Sequence, residues 1–488
     1  MSNQSKLDQV NNEVYYGILP VLHKERIYGF WDIFIVTGAY AIATWTYVQG
    51  GTIATLLGLK EAITSTIFSM LLVGLIIYLV VLIPTRYGID LWLYQKALYG
   101  YLGLIIVASI SIAASFGYSA INATLYGNSI VLLLDSANVS VSSFWKPWID
   151  ATCILLGLWI ALKGPIAVKR ATSIMVPCLF AIGIIIVFLV LSSYSLAELA
   201  SIEPLDAGIF GSHFINYMMV MEWNISYIFA WFAVLGVLSR LVKKERTSYW
   251  GHIGGFSITM AIFICIGILT ALAMVAATGR VSSDPTEWLI ELGGPLMGTL
   301  SLVLIGVANI TTQAVGVYSL SVSTKIVKPE WSYKKVAIFW SFWCLLLIFW
   351  GGILDYYNVF LSVIGATAGP MTALVLVDFF LIRKQQFSLR SIFKVGGSNA
   401  YQYTGGFNIP AFIALAAGMA SYFFVYNPIT FEINSGIFLY TTATGLALIV
   451  SSTVYYLISL FKPFNLYLKK DRDDETKANS NDTIKTSS

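Results

Sequence analysis

The sequence predicts an all-α integral membrane protein of about twelve transmembrane helices. Three observations predict it. Of 488 residues, 57% are hydrophobic and only 11% charged, where soluble globular domains carry roughly 25% charged residues. Apolar runs of about 20 residues, enough to cross roughly 30 Å of hydrocarbon, recur along the whole chain; mean hydropathy is +0.77. Lys and Arg also alternate strictly from one inter-span gap to the next.

The spans fall near 31–49, 62–83, 98–124, 148–162, 173–192, 214–239, 252–278, 295–319, 336–353, 357–382, 408–426 and 436–460. Gly and Pro punctuate the gaps, in "QGG", "PTRYG", "KGP" and "YTGGFN". The N-terminal segment 1–29 is polar and carries "HKER", which excludes a cleavable signal peptide. Residues 462–488 are charged and poor in aromatics, the composition of a disordered tail. With the N-terminus in the cytoplasm, 26 of the 29 Lys and Arg residues fall inside and only Lys60, Lys146 and Arg280 outside. The positive-inside rule therefore supports both the count and two cytoplasmic termini, in a cell-membrane protein. "NVS" at 138–140 is a glycosylation sequon on an outer gap.

Taken in order, the spans show where polar chemistry is concentrated. Span 1, "WDIFIVTGAYAIATWTYVQGG", has Thr37-Gly38 mid-span, a candidate helix break. A break exposes carbonyl oxygens, which are tolerated at depth only where they line a cavity or bind an ion. In span 3, Ser111, Ser115, Tyr118 and Asn122 step by four, three and four, and so share one helix face. Span 6 is rich in aromatics, with Trp223, Tyr227, Phe229, Trp231 and Phe232, and bears Glu222 and Asn224 toward its outer end. Span 8 contains "VANITTQ" (307–313) between apolar runs: Asn309 shares a face with Gln313, Ala308 with Thr312, and Thr311 adjoins Thr312. Ser and Thr in membrane bundles commonly bond a neighbouring helix. Amides such as Asn122, Asn309 and Gln313 offer two donor hydrogens and an acceptor each, suited to a polar heterocycle.

Other classes are excluded. Cys153, Cys178, Cys265 and Cys344 lie in apolar runs without CxxC spacing, and three scattered histidines form no metal motif. The carboxylates in or near spans are Asp32, Glu222, Asp355 and Asp378, the last paired with Arg383 in "VDFFLIRK". No nucleophile–base pair or phosphate loop occurs, so the chain is not an enzyme, and nothing marks it for nucleic acid.

These residues resemble the nucleobase–cation symporters, the permeases of cytosine, purines, uracil, allantoin and hydantoins. "YGIDLWLYQKALYGYLGL" (87–104) is similar to the family's Arg-x-Ser-Phe-Gly-x-x-Gly-Ser segment, with Gly100 and Gly103 in register and Lys96 in place of Arg. "SFGYSAIN" (115–122) resembles Gly-Trp-Phe-Gly-Ile-Gln. "VLSRLVKKERTSYWGHIGGF" resembles the Asp-Phe-Ser-Arg-Tyr segment, with Arg240 matching and Val237 in place of Asp. "VDFFLIRK" resembles Asp-Tyr-Phe-Leu-Ile-Arg, and "YQYTGGFNIPAFIAL" resembles Tyr-x-Tyr-x-Gly-Gly-x-Asn-x-x-Ala.

The resemblance implies a fold of two inverted five-helix repeats, 30–192 and 213–383, of the amino-acid/sodium symporter type, with two peripheral helices at 405–461. Spans 1 and 6 would be broken near the midplane. It implies a planar heterocycle (purine, pyrimidine, hydantoin or allantoin) stacked on Tyr118 and hydrogen-bonded by Asn122, Gln313 and Asn309. The family's span 6 aromatic falls on Ile228, so Tyr227 or Trp231 would take its place; a further family Asn falls on Val317. Na+ would be the coupling ion, held by Thr311, Thr312 and Ala308 of span 8 with carbonyls of Gly38 and Ala41. No other cofactor is implied, and the protein would act as a monomer in lipid. Two alternatives stay open on the same scaffold: proton coupling, with Glu222 as the titratable group, and an amino-acid or amine substrate.

Overall fold

The structure, a computed structural model, describes residues 19–280, 282–393 and 400–462. Most of the expected N-terminal segment and nearly all of the tail lie outside those residues. Within them the chain is helical, apart from one antiparallel pairing of Tyr426–Asn427 with Glu432–Ile433.

In chain order the main helices are α1 (Phe30–Ala41), α2 (Thr44–Ala54), α3 (Leu59–Tyr87), α4 (Leu91–Tyr99), α5 (Tyr101–Ser136), α6 (Lys146–Leu162), α7 (Pro165–Ser193) and α8 (His213–Phe229). They continue with α9 (Phe232–Ser239), α10 (Glu245–Thr278), α11 (Pro285–Val327), α12 (Tyr333–Trp350), α13 (Tyr357–Ile382), α14 (Ile409–Val425) and α15 (Ala443–Leu460). Every expected span lies on one of these helices or on a broken pair. Among the described residues, eight helices are individually long and apolar enough to cross a membrane, and the bent pair α8–α9 makes a ninth; α1 and α14 are shorter apolar helices.

The termini follow local chemistry. Ser212, Asp284 and Ser332 cap α8, α11 and α12 by accepting a backbone N–H of the first turn. Helix α11 kinks at Gly294, whose φ is 63°, just before Pro295, which lacks the N–H a straight helix needs.

The helices pack as two groups. Helix α11 lies against α5, α6 and α7, with α12 alongside; α2 packs on α10, and α3 on α8 and α10. The α2–α10 contact is close: a Cβ on Gly50 would meet the Ile264 carbonyl oxygen at 2.2 Å and the Gly267 Cα at 2.8 Å. Small residues let membrane helices approach this far, because dispersion replaces the hydrophobic drive that lipid removes. Helices α14 and α15 pair with each other and rest on α13.

Two ion pairs hold charges at the helix ends. Arg383 Nε donates to Asp378 at 2.6 Å, the pair 3% and 0% exposed. Tyr94 and Tyr455 donate to the two oxygens of the same carboxylate at 2.7 and 2.9 Å. A buried carboxylate needs this many partners to offset its desolvation. Arg86 grips Glu245 through two N–H groups at 2.8 Å each. The cysteines are free thiols, Cys153 and Cys344 fully enclosed.

Candidate functional site

Two helices are interrupted where the groups meet. Helix α1 ends at Ala41; Ile42 (φ −91°, ψ 12°) leaves helical geometry, and Ala43 (ψ 160°) leads into α2. The other break lies between Phe229 and Phe232, where α8 and α9 meet at 41°. The first interruption comes later than Thr37-Gly38. The Thr37 hydroxyl folds back onto the Ile33 carbonyl at 2.7 Å, and the helix runs on through Gly38 to Ala41. The last carbonyls of a helix lack intrahelical partners. Here the Thr46 hydroxyl donates to the Ala41 carbonyl, and it lies 2.6 Å from the Tyr227 hydroxyl. The two breaks are thereby tied to each other.

Between them is a cavity walled by Ala39, Tyr40, Ala43 and Trp45 of the first broken span and Ala230, Trp231 and Val234 of the second. Helix α5 adds Ser115, Tyr118 and Ser119, α7 adds Met175, and α11 adds Thr312, Val315, Gly316, Ser319 and Leu320. Its free volume of ≈ 60 Å³ holds roughly four to six waters, about the bulk of one small flat ring.

The wall is aromatic. The Trp45 ring centroid is 5.4 Å from Tyr118 and 6.2 Å from Trp231, and Trp231 meets Tyr40 edge-on at 5.7 Å. Phe256 and Phe360 back Trp231 and Tyr118 at 5.1 and 4.9 Å. Packed rings of this kind hold their rotamers, so the wall is preformed.

Of the residues singled out in the sequence, Tyr118, Trp231 and Thr312 belong to this wall. Thr312 Oγ1 donates to Met175 Sδ at 3.0 Å. Tyr227 lies behind Tyr118, the rings 6.1 Å apart. Asn122, Asn309 and Gln313 come together but not on the wall. Asn122 Nδ2 donates to the Asn309 carbonyl at 2.8 Å and to Gln313 Oε1 at 3.5 Å, and Thr44 donates to Asn309 Oδ1 at 2.7 Å. All three are at most 1% exposed. Gln313 is turned to α6, where a Cβ on Gly157 would meet its Cγ at 2.5 Å. Thr311 donates to the Ala308 carbonyl at 2.9 Å. Gly38 instead packs toward Thr259 and Gly255 of α10, and its carbonyl accepts from Ile42. Glu222 faces α15, accepting from Thr444 N at 2.8 Å, Thr444 Oγ1 at 2.6 Å and Ser226 at 3.1 Å. It is not part of the wall.

Sequence reading missed Tyr40, Trp45, Met175, Gly316 and Ser319. A signal existed for two of them. Gly316 and Ser319 follow Thr312 by four and seven residues, the spacing of one helix stripe. Trp45 and Tyr40 gave none, because their placement depends on where span 1 breaks.

A family model described as "permease for cytosine/purines, uracil, thiamine, allantoin" matches residues 20–446. A purine-uracil permease of Arabidopsis thaliana is 21% identical over 462 residues, covering 90% of this chain and 76% of its own. A hydantoin permease of Microbacterium maritypicum is 21% identical over 449 residues, covering 86% of each chain. Among solved structures, the nucleobase-cation-symport-1 transporter Mhp1, closed with bromovinylhydantoin bound, superposes with a TM-score of 0.72 at 17% identity. That superposition covers 92% of this chain and 98% of the other. The inward-facing form of Mhp1 gives 0.76 at 16% identity, over 93% and 96%. At such identities the structures establish the fold alone, one built on two inverted five-helix repeats. The chain is a multi-span membrane transport protein, not an enzyme, and belongs to the family of permeases for cytosine/purines, uracil, thiamine and allantoin.

Proposed function

We propose that the protein is a secondary active transporter that imports a nucleobase or related planar heterocycle across the cell membrane, in symport with Na+. The observation that carries this reading is the aromatic cavity at the meeting point of two broken helices. A flat ring stacks on Tyr118, each such contact contributing about 1–3 kcal/mol in nucleic-acid proteins. The relatives that take purines, uracil and hydantoins support the substrate class.

For the ion, the hard neutral oxygens lie along α11. Na+ engages the hydroxyls of Thr312 and Thr311 and the Ala308 carbonyl, together with carbonyls of the span 1 break, Ala41 among them. It displaces the Thr311–Ala308 and Thr312–Met175 contacts in doing so. Hard oxygen donors suit such a cation. Asn122, Asn309 and Gln313 form a support behind the ring site, holding α5 against α11. Each ligand raises the affinity of the other by the same factor when both favour one conformation.

The two five-helix repeats are 30–192 and 213–383, with both termini in the cytoplasm. The group containing α2, α3, α8 and α10 rocks against the group containing α5 and α11, and one protomer suffices. The test is uptake of labelled uracil, hypoxanthine, allantoin and hydantoin into proteoliposomes under an imposed Na+ gradient or an imposed proton gradient. Uptake of at least one compound that follows Na+ supports the reading. Uptake that follows the proton gradient and ignores Na+ contradicts the coupling, and no uptake of any contradicts the substrate class.

A further inference from the structure

The cavity wall has a one-sided hydrogen-bonding character. None of its sixteen residues carries a charge. Most of its hydroxyls are already engaged: Ser115 donates to the Ser111 carbonyl at 2.8 Å, Ser319 pairs with Tyr40 at 2.6 Å, and Thr312 meets Met175. Three polar atoms of the wall are enclosed without a partner among the described residues: the Tyr118 hydroxyl and the indole N–H groups of Trp45 and Trp231. The three residues are more than nine-tenths buried, at 8%, 6% and 9% exposed. Each atom can donate a hydrogen bond at the edge of an aromatic ring. A buried donor left unmade is costly, and a ligand acceptor that reaches it removes that cost.

We propose that the site selects a neutral, carbonyl-bearing ring, read at its oxygens by Trp231 N–H and Tyr118 O–H, with Trp45 as a stacking face supplied by the first broken span. The inference rests on the transport reading and narrows it. Trp45 occupies the corner between the other two rings, 5.4 Å from Tyr118 and 6.2 Å from Trp231. It can therefore cover a ring whose carbonyls point at those two donors. The site then needs neither the amides of α11 nor the position of Ile228 for its second face.

A cationic ring meets the opposite conditions. It would bring a full charge to a wall with no carboxylate, and the buried acid Glu222 is committed to Thr444 and Ser226. Aromatic faces attract cations, but more weakly than desolvation of an unpaired charge repels them. A ring with no acceptor at those edges also leaves both donors unpaired, and sites built around hydrogen bonds discriminate strongly against analogues that lack them.

The test uses the full-length protein, purified and held in lipid nanodiscs with Na+. Binding of uracil and hydantoin, each neutral with two carbonyls, is compared with that of adenine and with the cations thiamine and nicotinamide riboside. The expected result is that uracil or hydantoin binds at least tenfold more tightly than either cation. Trp231→Phe and Tyr118→Phe, which keep an aromatic ring at each position and remove the donors, each lose about tenfold of that affinity. Trp45→Leu, which removes a face together with its own N–H, weakens every ring that binds. Tighter binding of a cation, or unchanged affinity in both Phe variants, overturns the inference while leaving transport of another ring intact. Failure of every compound to bind overturns the inference and the transport reading together.

Discussion

The Tyr40 hydroxyl lies 2.6 Å from Ser319 Oγ, and one helical turn later on the broken span Thr44 donates to Asn309 Oδ1 at 2.7 Å. Tyr40 and Thr44 stand on either side of the span 1 break; Ser319 and Asn309 stand on either side of Gly316 in α11. The cavity is thus bracketed by two hydrogen bonds between the helix groups, one toward each face of the membrane. Rocking of the groups must break them one at a time.

Tyr40→Phe removes the bond on the side proposed as cytoplasmic and shifts the protein toward inward opening. A net hydrogen bond contributes about 0.5–1.5 kcal/mol, so the shift is roughly twofold to tenfold. Labelling of Ala230→Cys by a membrane-impermeant thiol reagent, in a background without the native cysteines, reads it. Faster labelling from the cytoplasmic side is expected, whereas an unchanged rate on both sides means the bond does not gate the cavity.

Thr44→Val acts on the opposite latch and should raise labelling of the same position from the outer side by a similar factor. The Tyr40→Phe, Thr44→Val double variant should return toward the wild-type balance between sides, since the two effects oppose. A double variant as biased as either single one would show that the bonds are not mechanically opposed.

Tyr118→Ala and Gln313→Ala separate contact from support. Tyr118→Ala removes a stacking face and should raise the KM for uptake by about tenfold or more. Gln313→Ala leaves the wall intact and loosens the contact with Asn122 and Gly157, so its effect on KM should be smaller, with a measurable drop in thermal stability. The reverse ranking would place Gln313 at the substrate and Tyr118 behind it.

Gly50→Ala tests the packing that holds α2 on α10. Its Cβ meets backbone of Ile264 and Gly267 at 2.2 and 2.8 Å, which no rotamer relieves. Overpacking of this kind costs about 1–3 kcal/mol. The melting temperature in detergent should fall, and Gly50→Ser should fare no better. An unchanged melting temperature for both would mean that the two helices are farther apart in solution than in the structure.

Much of the fold was legible because membrane burial writes itself into composition. The apolar runs and the alternation of Lys and Arg located helices at every expected span, and the face shared by Ser115 and Tyr118 is the face α5 gives to the cavity. The site was legible only in part. A helical stripe tells which residues share a face, but not which neighbour that face meets. Asn122, Asn309 and Gln313 do converge, yet they converge on one another behind the wall, with Asn122 Oδ1, Asn309 Nδ2 and Gln313 Nε2 still unpaired among the described residues. Thr37-Gly38 read as a break because Thr and Gly are weak helix formers. Close packing of Thr37 and Gly38 on Gly255 overrides that propensity, and the interruption comes at Ile42-Ala43, carrying Tyr40 and Trp45 to the cavity with it.

Coupling of ion and ring in one cavity is read by Na+ titration of substrate uptake in wild type and Thr312→Ala. The half-saturating Na+ concentration should rise about tenfold in the variant while uptake at saturating Na+ stays near wild type. A uniform loss of uptake at every Na+ concentration would contradict that coupling, marking Thr312 as a packing residue with no part in holding the ion.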